Sequence, residues 1–336
     1  MRVLVTGASG FVGSLLVPRL SLQGHSVRAF ARDEERIRIA LAYAAQDSRA
    51  RTPSSASSKV EVLQGDAVTG VGLERALEGV QVAYYLIHSM EATTAAGSSF
   101  TLRERLAAEN FAEAARRAGV RRIIYLGGLV PRWERQASRH YRGSHPPAPV
   151  SRHLESREEV EGILMAAIPD SLALRASIVI GARSRSFRLL VRLVERLPVL
   201  ALPAWQSFRT QPIDERDVIE MLAAAATSDV RGRLEIGGPD VLSYGEMLTG
   251  IADLMLISRP AVRIRVNLTA IAGRVAAAIA SEAPELVVPL MEGLQGDLLP
   301  AEDHAAELLG VRLHSFDSAV EHALAEWEEF EQLAAR

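Results

Sequence analysis

Eight residues near the start of the chain carry its clearest chemistry. Thr6-Gly7-Ala8-Ser9-Gly10-Phe11-Val12-Gly13 follows a β-branched run and opens a helical pattern. The first glycine permits a tight turn, and the second lets backbone approach a pyrophosphate. The third lets the helix pack closely on a sheet. A helix beginning there aims unpaired N–H groups and a partial positive charge at an anion. Gly7, Ser9, Gly10, Phe11, Val12 and Gly13 are therefore expected to hold the phosphates of a dinucleotide.

The end of the second strand bears on which dinucleotide, and it reads Phe30-Ala31-Arg32-Asp33. A site selective for NAD(H) places Asp or Glu there to accept hydrogen bonds from the ribose 2′-hydroxyl. Arg32 instead offers a planar fork that suits a 2′-phosphate. Asp33 falls one residue late and is expected to cap the following helix. NADP(H) is the expected cofactor, ahead of NAD(H).

The elements that must position these residues follow from the hydrophobic pattern. Strands are read at 3–6, 27–31, 60–63, 82–87, 122–126 and 172–174. Helical patterns lie between them at 11–23, from about 33, and at 72–78, 101–118 and 151–167. Strand–helix alternation implies a parallel sheet covered on both faces, an α/β doubly wound Rossmann domain. That domain is expected over 1–180 plus about 213–238, where 213–226 and a strand at 234–236 return to it. A smaller, mostly helical substrate-binding domain is expected over 181–212 and 239–336. Its helices are read at 186–196, after Ser243, after Ala261 and from about Phe316, the last with a solvated glutamate-rich face.

Two stretches break the rhythm. Residues 46–58 are rich in Ser, Ala and Arg and read as a flexible surface insertion. Residues 131–150 contain four prolines and four arginines and follow the fifth strand. Loops there border the ligand crevice of an open α/β sheet, so this one reads either as a lid or as an arginine-rich surface loop.

Composition narrows the chemistry further. Cysteine is absent, which excludes disulfides, thiolate metal ligands and cysteine nucleophiles. The formal net charge of −3 gives no general reason to expect nucleic acid as a partner. The apolar stretch 266–280 is shorter than the roughly 20 residues a membrane span needs, and reads as a buried or amphipathic helix. With no leader read before the first strand, a cytoplasmic location is expected. Lys59 is the only lysine, which strains any mechanism that depends on one.

The chain resembles the extended and atypical short-chain dehydrogenase/reductases, and most of all their NmrA-like, NAD(P)H-binding members. The likeness rests on the glycine turn, Gly65-Asp66, Tyr84-Tyr85-Leu86-Ile87-His88-Ser89, Ile124-Tyr125-Leu126-Gly127-Gly128, Leu174-Arg175-Ala176-Ser177-Ile178-Val179-Ile180-Gly181 and Gln211-Pro212-Ile213. The resemblance implies that Asp66, with Ala67 beside it, meets the adenine amino group. It implies that Leu86 and His88 line the ribose and nicotinamide path, and that Ser177 to Ile180 shape the floor beneath the nicotinamide. For His88, a histidine satisfied at a strand end is an equal reading.

Catalytic members of that family carry a serine after the fifth strand and a Tyr-x-x-x-Lys on the next helix. The tyrosine trades the proton, while the lysine lowers its pKa and holds the ribose. Here Gly127-Gly128 stands in the serine's place and His153-Leu154-Glu155-Ser156-Arg157 on the helix, so the spacing survives as His-x-x-x-Arg. Residues one turn apart can face the same cofactor. Arginine stays protonated and cannot serve as a base, so Arg157 is a candidate ribose contact. Histidine titrates near about 6.5, which makes His153 the candidate proton donor.

Two functions follow. One is an NADP(H)-dependent reductase of a small hydrophobic carbonyl-like substrate, with Phe187, Leu190, Trp205 and Phe208 as candidate apolar lining. The other is a non-catalytic NADP(H)-binding redox sensor. Both take a small molecule rather than nucleic acid as partner, and neither calls for a metal.

Overall fold

The structure is a computed structural model that describes residues 1–47, 60–88, 100–129, 152–197, 199–202, 204–258, 260–263, 296–302, 304–331 and 333. The chain begins β1 (Arg2–Thr6), α1 (Phe11–Leu22), β2 (Ser26–Ala31), α2 (Glu34–Asp47), β3 (Val60–Gln64), α3 (Leu73–Leu77) and β4 (Val82–Tyr85). It continues with α4 (Phe100–Arg117), β5 (Arg122–Gly128), α5 (Arg152–Ala167), β6 (Leu172–Ala176), β7 (Val179–Ile180), α6 (Arg185–Arg196) and β8 (Leu200–Leu202). After a 3₁₀ turn (Ala204–Ser207) come β9 (Arg209–Thr210), β10 (Ile213–Asp214), α7 (Glu215–Ala225), β11 (Gly232–Ile236) and β12 (Leu242–Ser243). The last described elements are α8 (Tyr244–Leu254), β13 (Ala261–Arg263), α9 (Ala305–Leu309) and α10 (Phe316–Glu328).

Seven strands form one sheet in the order β11-β6-β5-β4-β1-β2-β3, and every neighbouring pair is parallel. All four residues of β4 are buried, as a strand covered on both faces requires. One face packs against α1, α2 and α7 through Leu16, Leu20, Ile37, Val218 and Leu222. The other packs against α3, α4 and α5 through Leu77, Phe111 and Leu164. This is the doubly wound Rossmann architecture. Its strand order reverses between β1 and β4, where such sheets open a ligand crevice at their carboxyl ends.

A third core gathers α6, α8 and α10 around Phe187, Val191, Tyr244, Ile251, Val320 and Trp327. Helix α6 presents Phe187, Leu190, Val191 and Val194 at helical spacing, so burial of one stripe accounts for its place. Ser184 caps it by accepting from the Phe187 N–H. A capping box between Ser243 and Glu246 starts α8. Helix α7 packs into the core on one face of the Rossmann sheet, and strand β11 pairs with β6 at its edge.

Three expectations need correction. Helix α2 runs through Asp47, so the insertion expected at 46–58 starts inside a helix, and its residues 48–58 lie outside those described. At Ala261 the chain enters strand β13, paired with β8, instead of a helix; residues 266–280 lie outside the described ones. The glutamate-rich face of α10 is not wholly solvated, because Glu326 is only 4 % exposed. It lies in a cluster with buried Glu215 and half-buried His322, which couples α10 to the start of α7. Among the described residues no helix is long and apolar enough to cross a membrane.

Candidate active site

The glycine turn builds the site at the switch point. Gly7 adopts φ +67°, and a Cβ there would lie 2.5 Å from the Leu86 carbonyl oxygen at the end of β4. Both the conformation and the approach require glycine. Thr6 locks the same corner, since its hydroxyl donates to the Tyr84 carbonyl at 2.9 Å and accepts from the Leu86 N–H at 3.3 Å. Gly10 is the N-cap of α1 and brings no side chain to cap it. The N–H groups of the first turn therefore lack intrahelical acceptors and face an anion site.

A cavity of about 670 Å3 opens over this turn. Gly7, Ser9, Gly10, Phe11, Val12 and Gly13 form one wall. Arg32, Asp66, Ala67, Leu86, His88, Arg157 and Ser177 line it as well, so the structure brings these sequence candidates together. Ile180 is the exception. It is buried in the third core and does not border the cavity, because β7 turns its side chain toward α6.

At one end, Arg32 follows β2, and the Gln64 amide holds its carbonyl at 3.0 Å. Asp33 caps α2, its Oδ1 accepting the Arg36 N–H at 3.1 Å, and it too borders the cavity. Both Arg32 and Arg36 border the cavity. Asp66 accepts the Val68 N–H at 2.8 Å, and the Asn110 amide donates to the Ala67 and Val68 carbonyls at 3.1 and 2.8 Å. Arg36 and Asn110 escaped sequence reading. Arg36 was findable, lying four positions after Arg32 in the first turn of α2, but nothing local marks Asn110.

In the middle, His88 packs edge-on to Tyr125, with ring centroids 6.3 Å apart. Burial pushes the Tyr125 phenol well above its ordinary pKa, so it stays protonated, and its hydroxyl donates to the Arg157 carbonyl at 3.5 Å. A Cβ on Gly128 would lie 3.4 Å from Arg157 Nη1. The guanidinium thus stands against the strand where a serine side chain would otherwise project. His153 lies in the first turn of α5, four residues before Arg157; its side chain, like residues 131–150, lies outside those described.

The far end is bordered by Leu129, Ile178, Leu189, Leu190 and Leu298, and Arg183 and Arg185 also line the cavity. Of the apolar lining candidates, Leu190 reaches the cavity. Phe187 is fully buried in the third core, and Phe208 packs against that core's edge. The Trp205 side chain lies outside the described residues.

An all-parallel, doubly wound sheet with a glycine-turn cavity at its switch point defines a Rossmann-type fold. Residues 1–166 match the model of the NmrA-like family. A ceramide reductase of Caulobacter vibrioides is 28 % identical over 255 residues, spanning 75 % of this chain and 70 % of that one. A 3β-hydroxysteroid dehydrogenase/Δ5→4-isomerase of Mycobacterium tuberculosis is 33 % identical over 130 residues, which is 37 % of this chain and only 30 % of its own length. The fold is shared with the UDP-glucuronic acid 4-epimerase of Bacillus cereus in complex with NAD. That structure has a TM-score of 0.67 at 16 % identity and covers 98 % of this chain and 97 % of that one.

Proposed function

We propose that the protein is an NADP(H)-dependent oxidoreductase of the atypical short-chain dehydrogenase/reductase type, acting on a small hydrophobic carbonyl-like substrate. The observation that carries this reading is the cavity itself. Its glycine turn suits a pyrophosphate, and the end of β2 offers Arg32 to a 2′-phosphate while Asp33 caps α2 through its Oδ1. Asp66 and Ala67 fit the adenine end, Leu86, His88 and Arg157 the ribose and nicotinamide stretch, and Ser177 its floor. A bound nicotinamide supplies the hydride chemistry, and these residues bind and orient it. The names of the two curated relatives, a reductase and a dehydrogenase, agree with hydride transfer.

The apolar far end, with Leu189, Leu190, Ile178 and Leu298, suits a hydrophobic substrate body. The proposal divides the chain into a nucleotide-binding part, 1–180 plus about 213–238, and a substrate-binding part made of the rest. His153 is the proposed proton donor. A second reading, a non-catalytic NADP(H)-binding sensor, draws support from Gly127-Gly128 and from the Arg157 guanidinium beside Gly128.

The cofactor choice is tested by titration. Arg32→Ala is expected to weaken NADPH binding by about 1.5–3 kcal/mol, the worth of a charged hydrogen-bond set, and to leave NADH nearly unchanged. Equal loss for both nucleotides would remove the 2′-phosphate assignment.

A further inference from the structure

Arg183 differs from several other buried and partly buried arginines. Arg28 is paired with Glu61, Arg175 with Glu161, Arg192 with Glu195 and Arg216 with Asp214. Arg122 is caged by four backbone carbonyls. Arg183 has no carboxylate partner among the described residues. Its Nη1 donates to the Ser14 hydroxyl at 3.0 Å, across 169 positions of sequence. Ser14 spends its own proton on the Phe11 carbonyl at 3.0 Å, so it meets the guanidinium purely as an acceptor.

Ser14 immediately follows Gly13, in the first turn of α1. Arg183 and Gly10 to Gly13 border the same cavity. The guanidinium therefore lies beside the turn whose free N–H groups await an anion, with donors left over after Ser14 is served. Its place is set by structure on both sides. Ser184 donates its N–H to the Gly181 carbonyl at 3.0 Å and caps α6. Gly181 sits so tightly against the Phe11 ring that a Cβ there would lie 2.7 Å from it.

We infer that Arg183 is a phosphate ligand, which the β7–α6 connection brings to the dinucleotide pyrophosphate beside the first turn of α1. This rests on the dinucleotide reading above and extends it to a residue outside the family-matched segment, 1–166. Guanidinium geometry suits two phosphate oxygens at once. Because α6 carries Phe187 and Leu190 into the third core, a bound pyrophosphate ties that core to the Rossmann sheet. The cofactor thereby orders the wall against which a substrate packs.

The pyrophosphate is common to both nucleotides, so the signature differs from that of Arg32. In the full chain, Arg183→Met is expected to raise Kd for NADH and NADPH alike by about 10-fold or more. Arg183→Lys should recover part of the loss, and Ser14→Ala should change little. NADPH should slow amide exchange over 182–190 in the parent and fail to do so in Arg183→Met. Unchanged affinity for both nucleotides in Arg183→Met and Arg183→Lys, with the parent binding normally, overturns this inference and leaves the dinucleotide reading intact. Loss confined to NADPH overturns it too, since the 2′-phosphate would then be the target. A parent that binds neither nucleotide overturns both. If Arg183→Met fails to fold, as judged by its melting curve without nucleotide, Arg183→Lys and Arg183→Gln decide the matter.

Discussion

Gly10→Val is expected to abolish dinucleotide binding while leaving the fold standing. Gly10 sits at φ −82° and ψ 173°, an extended conformation open to any residue. A Cβ there would meet only the Gly7 carbonyl oxygen, at 3.1 Å, a crowding that a shift of a few tenths of an ångström relieves. The valine methyls would then occupy the space over the first turn of α1, where a phosphate must come within hydrogen-bonding distance of the backbone. Affinity for NADPH and NADH should fall by about 100-fold or more, roughly 2.8 kcal/mol.

Gly13 behaves differently. A Cβ there would collide with the Gly7 carbonyl and lie 2.9 Å from the Ala8 Cα, both backbone. Gly13→Val should therefore lower the melting temperature of the apo protein sharply, whereas Gly10→Val should barely move it. Calorimetric titration beside thermal melts separates the two. A Gly10→Val protein that binds NADPH with parent affinity places the nucleotide elsewhere.

The other large effect is expected at His153. As the proton donor, its replacement by alanine should lower kcat by about 10²–10⁴, the usual worth of a positioned acid. The pH profile should lose its limb near neutrality at the same time. Arg157→Ala should instead raise Kd for the nucleotide, because an arginine has no proton to trade. Its removal also opens the space beside Gly128, where its Nη1 now stands. Carbonyl reduction is followed directly by NADPH absorbance, with a nucleotide titration on the same sample to certify the preparation. Normal turnover by His153→Ala would show that α5 is not catalytic and that the proton comes from water or from the substrate. A wild type that binds NADPH tightly yet oxidises it with no carbonyl in a broad panel favours the sensor reading.

Much of this site is local, and local features are legible in sequence. The three glycines act on a turn of eight residues, and Arg32 lies one residue beyond a strand with four consecutive buried residues. Asp33 as the cap of α2 needs only its position before a helix. The parallel sheet follows from strand–helix alternation, since a parallel connection needs a crossover of helical length.

Tertiary structure decided the rest, because periodicity says which face of an element is apolar but not what that face meets. Phe187 belongs to a stripe that could have lined a pocket. Packing against α8 and α10 put it in the core, while Leu190, one turn on, reaches the cavity. Glu326 looked like part of a solvated face until α10 docked beside Glu215 and His322. Arg183 carries no local mark at all. Its meaning arises only when the crossover connections of the sheet carry residue 183 to within 3.0 Å of residue 14, a proximity that 169 intervening positions hide from any window of sequence.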